Sequence, residues 1–407
     1  MVDGNEVDER RLLRLLWVRA YLPNLLFATG QGAIIPVLAI AAKHLGASTS
    51  VAALVVALNG LGTMLMDVPA GWVVAHVGER RSAMVATAML LSGLVVCFYA
   101  HDVGFLGLGI FIQATGWSIW SLVRLTNISR ITTATTRGRA ISIFGGVSRG
   151  GQVIGPFLVA ALATKGSVRV SFVIYIIFAA VGWIWLESAR DRSDAGATHT
   201  SAIGFRPVKI IKTHRHDFAT AGVTTYVLGV LRSSRQVVLP LWGAHIGLDV
   251  KQVALLYGIS SVLDVSLFYP SGSISDRYGR RAVALPCIGL LAVGHLLLPF
   301  THSYSTLLLV GMILGFGNGL GAGIVMTLGA DRAPAEGRPA FLSLWRLVSD
   351  SGAASGPLID GALIGAFSLG LAAPVVGVIG LLATLYTWHF LEETQELKIK
   401  ERTIASD

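Results

Sequence analysis

Charge is scarce in this chain. Asp, Glu, Lys and Arg make up 14% of its 407 residues and hydrophobic residues 53%, whereas a soluble domain carries about 25% charged residues. That leaves too little polar side chain to cover a folded surface in water, which excludes an ordinary soluble protein. Cysteine is nearly absent. Cys97 and Cys287 both fall in apolar runs, with no metal-ligand spacing and no disulfide framework, so both read as small core residues. Histidines at the paired spacing of a metal site are missing too, and no cofactor is expected. The apolar segments lack the two-residue alternation of barrel strands, which leaves helices as the spanning element. A cleavable signal peptide is not expected, because the charges ending at Arg14 lead straight into an apolar segment too long for a signal core.

What is present is a series of apolar runs, each close to the roughly 20 residues that span a bilayer as a helix. Twelve are expected, at about 18–42, 48–74, 82–100, 103–127, 140–163, 169–187, 217–243, 252–274, 282–300, 304–329, 340–364 and 370–391. The predicted class is an all-α membrane protein with twelve transmembrane helices, and its 47 glycines suit close helix packing in lipid. If the N-terminus is cytoplasmic, most Lys and Arg fall on cytoplasmic segments, and the outer loops hold only Lys43, Lys165, Arg169 and Lys251. This bias predicts both termini inside. The formal net charge of +9 is then a topology signal, not a nucleic-acid footprint. The expected setting is the lipid bilayer of the plasma membrane (a cell inner membrane), with the chain a monomer and no nucleic-acid partner. The longest polar stretch, 188–216, reads as a cytoplasmic linker between an N-terminal half, 1–187, and a C-terminal half, 217–407. Its apolar piece IGFRPVKII reads as a short interfacial segment.

The two halves repeat. Gly71 and Gly272 lie 201 positions apart, as do Pro69 and Pro270, Gly78 and Gly279, and Arg80 and Arg281. The same offset relates Gly116 to Gly317, Arg137 to Arg338, Gly151 to Gly352, Gly155 to Gly356 and Pro156 to Pro357. One constant offset predicts parallel six-helix repeats of the same orientation. The first helix is expected to drift, since Pro36 matches Pro240 at an offset of 204.

Within the repeat, GSISDRYGRR (Gly272 to Arg281) resembles the signature loop of the major facilitator superfamily, Gly-x-x-x-Asp-Arg-x-Gly-Arg-Arg/Lys. The first-half copy, GWVVAHVGER, keeps Gly71, Gly78 and Arg80 but has Ala75, His76 and Glu79 at the Asp and two Arg positions. GQVIGP (Gly151, Gly155, Pro156) and GAASGP are similar to the Gly-Pro motif in helix 5 of that family's drug:proton antiporters. The resemblance covers the whole chain and implies the major facilitator fold. It also implies alternating access without enzymatic chemistry, and a latch in which the loop stabilises the outward-facing state. Asp276 would latch against the start of helix 5 in the opposite half, favoured by its dipole, with Arg277, Arg280 and Arg281 tying helix ends. Glycines would let helices approach and the link turn tightly, and Glu79 would substitute for the Asp absent at Ala75.

Ionisable residues at bilayer depth cost roughly 2.5–3.5 kcal/mol on insertion scales unless paired or wetted. The candidates are Asp67, Arg124, Arg149, Arg232, Arg235, Asp264, Arg346 and Asp350. The resemblance implies that helix 5 packs against helix 8 and helix 2 against helix 11; depths counted from the inner helix ends then match Arg149 with Asp264 and Asp67 with Arg346, and Asp350 shares a face with Arg346. Static ion pairs are one reading; a protonatable Asp that shifts the conformational equilibrium is the other, with Asp264, Asp350 and Asp67 as candidates. In the family resembled, helices 1, 4, 7 and 10 line the cavity. Here they carry Asn24, Phe27 and Gln31; Trp117, Trp120 and Arg124; Tyr226, Arg232 and Arg235; and Phe316 and Asn318. Aromatics with a few polar groups suit an amphipathic small molecule. The three arginines suit an anionic metabolite or lipid, and the lack of an acid in the first helix disfavours a polycationic drug.

Other motifs carry less. GVSRG (Gly146 to Gly150) has the hydrolase-elbow spacing, but Ser148 sits in an apolar helix rather than a strand–turn–helix. GFGNGLGAG lacks the Lys-Ser/Thr of a phosphate loop and reads as a packing or bending site. His295 reads as core packing ahead of a proton relay. A carrier exporting small amphipathic compounds with protons is the expected function, ahead of uptake or exchange of an anion, and well ahead of a membrane enzyme or receptor.

Overall fold

A computed structural model describes residues 14–132, 134–163, 167–188, 207–334 and 337–393. The described residues form twelve long helical segments. These are α1 (Arg14–Ile34, continued by Leu38–His44), α2 (Thr49–Val77), α3 (Glu79–Phe98), α4 (Val103–Ile131), α5 (Ala134–Leu162) and α6 (Arg169–Ser188). They continue as α7 (Val223–His245), α8 (Val250–Tyr278), α9 (Arg281–Phe300), α10 (Tyr304–Arg332), α11 (Arg338–Ala366) and α12 (Leu369–Phe390). Eight of them are long and apolar enough to cross a membrane, or nine with the bent α1 taken as one span. The other three, α5, α7 and α11, are those that carry Arg149, Arg232 with Arg235, and Arg346 with Asp350. Most of the 188–216 stretch lies outside the described residues, though the last residues of the expected interfacial piece fall in a helix, Pro207–Thr213.

Local chemistry sets the boundaries. Asp102 caps α4 by accepting from the Phe105 N–H at 3.0 Å, and Ser303 with Thr306 forms a capping box at the start of α10. Pro36 lies in the break of α1, a bend of 43°. The glycine-rich run ends the first part of α10 at Leu320, with turns at Gly321 to Gly323 before the helix resumes at Ile324.

Cα proximity divides the chain into two compact units. Among the described residues, the first holds 14–47, those between 61 and 188, and 250–258; the second holds 48–60, 207–249 and those between 259 and 393. In the first, α1 packs on α5 and α6, and α3 on α4 and α6. In the second, α7 packs on α11 and α12, and α9 on α10 and α12. The neighbours agree atom for atom at the 201-residue offset. Gly155 abuts Thr29 O and Ala33 N, and Gly356 abuts Val230 O and Ser234 N. Gly116 abuts Ala86 O and Leu90 N, while Gly317 abuts Cys287 O and Leu291 N. These are the two parallel six-helix repeats. The expected drift of the first helix is corrected here. α1 and α7 keep one register as far as Ala33 and Ser234, and the two prolines are not equivalent: Pro36 breaks α1, whereas Pro240 lies inside a continuous α7.

Candidate functional site

In the first unit, α1, α4 and α5 bring together an aromatic and hydrogen-bonding group. Trp117 and Trp120 lie one turn apart on α4, so their rings share a face and stack at 5.5 Å, and Phe27 of α1 stacks on Trp120 at 4.2 Å. The Arg124 guanidinium lies over the Trp120 ring at 5.7 Å and donates to Arg19 O. Asn24 donates to Ser148 Oγ at 2.6 Å and to Phe144 O, and Gln152 donates to Gln31 at 3.1 Å. Ser148 is thus a hydrogen-bonding residue inside α5. On α2, Asp67 accepts from Ser118 of α4 at 2.8 Å.

The second unit builds a charged group from the corresponding helices. Asp264 of α8 accepts a hydrogen bond from Asn318 of α10 and lies 4.0 Å from Arg235 Nη1 of α7. Arg235 also donates to Ser260 at 2.7 Å. Arg232 donates to the Gly321 carbonyl at 2.5 Å, a backbone group released where α10 breaks. Arg346 and Asp350, one turn apart on α11, pair at 3.2 Å. Tyr226 is half-buried on α7. Phe316 does not join the group: it is 42% exposed, because it stands two residues from Asn318 and so on another face of α10. At the 201-residue offset Trp117 corresponds to Asn318, and Gln31 to Arg232. At these two positions the first repeat presents an indole ring and a neutral amide, the second an amide and a guanidinium.

A family model described as the Major Facilitator Superfamily matches residues 21–242 and 224–405. The chain belongs to the major facilitator superfamily. It is 21% identical over 377 residues to an MFS-type transporter of Methanocaldococcus jannaschii, covering 90% of this chain and 92% of that one. It is 25% identical to the multidrug resistance protein MdtH of Yersinia enterocolitica, over 82% of this chain and 83% of that one. A POT family transporter solved in complex with 5-aminolevulinic acid has the same fold, with a TM-score of 0.75 at 14% identity over 93% and 96% of the two chains. The protein is a multi-pass membrane transporter of small molecules, a secondary carrier and not an enzyme.

In this facilitator the two signature loops bridge the same two pairs of positions, and in one of the pairs the charges are exchanged. Arg280 pairs with Asp331 at 2.8 Å in the second repeat, and at the same positions of the first repeat Glu79 pairs with Arg130 at 3.6 Å. Likewise Arg281 donates to Trp388 O where Arg80 pairs with Glu187 at 3.5 Å. Within the first unit, then, Glu79 takes the place of Arg280. Arg280 also meets Asp276 at 2.7 Å, and Arg277 lies over the ring of Tyr278. Partial burial opposes the Arg280 charge, but hydrogen bonds and charges from Asp331 and Asp276 outweigh it and hold the guanidinium above its ordinary range. Glu393, just past α12, accepts the backbone N–H groups of Arg280 and Arg281 at 2.9 and 2.7 Å. This places an anion on the free amides at the start of α9. No sequence motif marks that residue.

The loop glycines serve two different ends. Gly78 (φ 84°, ψ 156°) and Gly279 (φ 94°, ψ 170°) occupy backbone space that is essentially closed to other residues. Gly71 and Gly272 are not sites of close helix approach: an added Cβ would meet nothing within 4 Å. Close approach belongs instead to Gly151 and Gly155, which precede Pro156 and press against the α1 backbone. Gly78→Ala is therefore expected to lower stability by about 1–3 kcal/mol, while Gly71→Ala leaves the melting temperature unchanged. Equal melting curves for the two variants would refute the assignment.

Sequence reading passed over Asp360. It is completely buried on α11 and accepts from Ser234 of α7 at 2.9 Å.

Proposed function

We propose that this facilitator is a proton-coupled exporter of small amphipathic compounds. It works by alternating access in the plasma membrane as a monomer with both termini cytoplasmic, and it requires neither a cofactor nor nucleic acid. The reading rests on the Phe27–Trp120–Trp117 stack, flanked by Arg124, Asn24 and the Gln31–Gln152 pair. Flat apolar faces with a few fixed polar groups bind molecules that are themselves part apolar and part polar. The drug-antiporter-like Gly-Pro motif and the similarity to a multidrug resistance protein support export. Asp264, Asp350 and Asp67 are the proposed proton-coupling carboxyls, and the loop around Asp276 is proposed to stabilise the outward-facing state.

A second reading, uptake or exchange of an anionic metabolite or lipid, is favoured by the arginines: Arg124 and Arg235 are buried, and Arg232 faces the break in α10. Transport of a substrate panel in proteoliposomes, with and without a pH gradient, separates the two. Gradient-dependent movement of amphipathic dyes is expected. Movement of organic anions alone would overturn the first reading in favour of the second.

A further inference from the structure

Asp360 lies on α11 one turn beyond Pro357, with no exposed surface. One carboxyl oxygen accepts from Ser234 Oγ at 2.9 Å; the other, equally shut off from solvent, has no hydrogen-bond partner. The charged groups on the facing helix are engaged elsewhere, Arg232 with the Gly321 carbonyl and Arg235 with Ser260 and Asp264. His245 closes the far end of α7. On α9 the buried His295 is tied to Leu291 O. α12 offers no titratable group before Tyr386, and the α2 residues of this unit, 49–60, offer none. On α11 itself Arg346 and Asp350 lie nearer the start and pair with each other. A carboxylate bonded only to a neutral hydroxyl is poorly accommodated in such a place, whereas a neutral carboxyl fits.

The other repeat shows that the fold does not need this acid. The α1–α5 crossing has the same backbone contacts as the α7–α11 crossing, yet at the equivalent positions it carries Ala33 and Val159, both fully buried. Where a methyl and an isopropyl group pack one crossing, a hydroxyl and a carboxyl occupy the other. An ionisable group retained in a membrane where an apolar one would pack is a mark of function.

We propose that Asp360 is a proton-binding site of the transporter. The carboxylate takes one proton from water to give the neutral form that this conformation buries, and returns it to water when the transport cycle exposes the α7–α11 crossing. Its cover is at hand. Ser50 donates to the carbonyl of the adjacent Gly361 at 2.6 Å, and Leu54 packs on the same glycine. The first turns of α2 thus lie over α11 beside the acid. The inference rests on the proton-coupled reading above for its role, but not for its detection.

Infrared spectroscopy of the reconstituted full-length protein tests it. A carboxylic-acid C=O band is expected at neutral pH, shifting after transfer to deuterium oxide and absent from Asp360→Asn and Asp360→Val. Asp360→Val, which copies Val159, should melt no lower than the parent. In proteoliposomes, Asp360→Asn should lose pH-gradient-driven accumulation of ethidium and keep ethidium counterflow. No band difference, or a band that never exchanges, overturns the proposal, as does full gradient-driven accumulation by Asp360→Asn. A collapse of the Asp360→Val melting temperature would assign the carboxyl to packing. If the parent protein itself moves no dye with the gradient, the export reading falls, and the exchangeable band alone decides whether Asp360 binds a proton.

Discussion

Asp264→Asn is expected to abolish gradient-driven transport while leaving substrate exchange intact. Asp264 collects a hydrogen bond from Asn318 and the charge of Arg235 in a nearly dry site, where the two side chains are 15% and 4% exposed. Asparagine keeps the shape and an acceptor oxygen but cannot cycle a charge, and exchange involves no net proton movement. Arg235→Met is expected to be the more damaging to stability. It withdraws the guanidinium from a buried carboxylate, typically a loss of about 3–5 kcal/mol. The double variant should lose less than the two singles together, and a double-mutant cycle on melting temperature measures that coupling. Full gradient-driven transport by Asp264→Asn would remove this carboxyl from the coupling mechanism, and additive melting shifts would show that the two residues act independently.

Gly155→Val should produce the largest loss of folded protein. A Cβ at Gly155 falls inside contact distance of the backbone of Thr29, Gly32 and Ala33, and backbone cannot rotate aside as a side chain can. Overpacking typically costs about 1–3 kcal/mol and occasionally more. Here the α1–α5 crossing itself must open, which places the effect at or above the top of that range. In lipid, such close approach is what holds helices together, since the surrounding tails are as apolar as the side chains. Thermal unfolding of the solubilised protein checks this. A melting temperature equal to that of Gly71→Ala would show that the crossing yields freely.

The fold was legible because hydropathy and repetition are properties of the chain itself. Runs of about 20 apolar residues and the 201-residue offset need no tertiary knowledge, and the same offset reappears in the backbone contacts of Gly116 and Gly155. Single residues were legible only where helical spacing settled their direction. Trp117 and Trp120 share a face by spacing and do stack. Phe316 and Asn318, two residues apart on α10, point to different faces of it. Counting depth from the inner end likewise left out direction around the helix. It did not bring out Arg235 and Asn318, the partners of Asp264 within its own unit. Asp360 escaped because its position near the end of an apolar run suggests exposure, and only the packing of Ser234 against it shows otherwise. Glu393 follows the last helix with no pattern around it, and its role appears only where the chain returns to the start of α9.

The exchanged polarity of the two signature-loop bridges bears on how a duplicated chain assembles. α3 and α9 are copies, as are α4 and α10, so each newly inserted helix finds two sites of nearly the same shape. A crossed assembly would set Glu79 beside Asp331 and Arg280 beside Arg130, facing like against like. Only the pairing of each copy with its own neighbour joins opposite signs. The sign reversal would therefore act as an address, penalising swapped partners as the two repeats fold within one polypeptide.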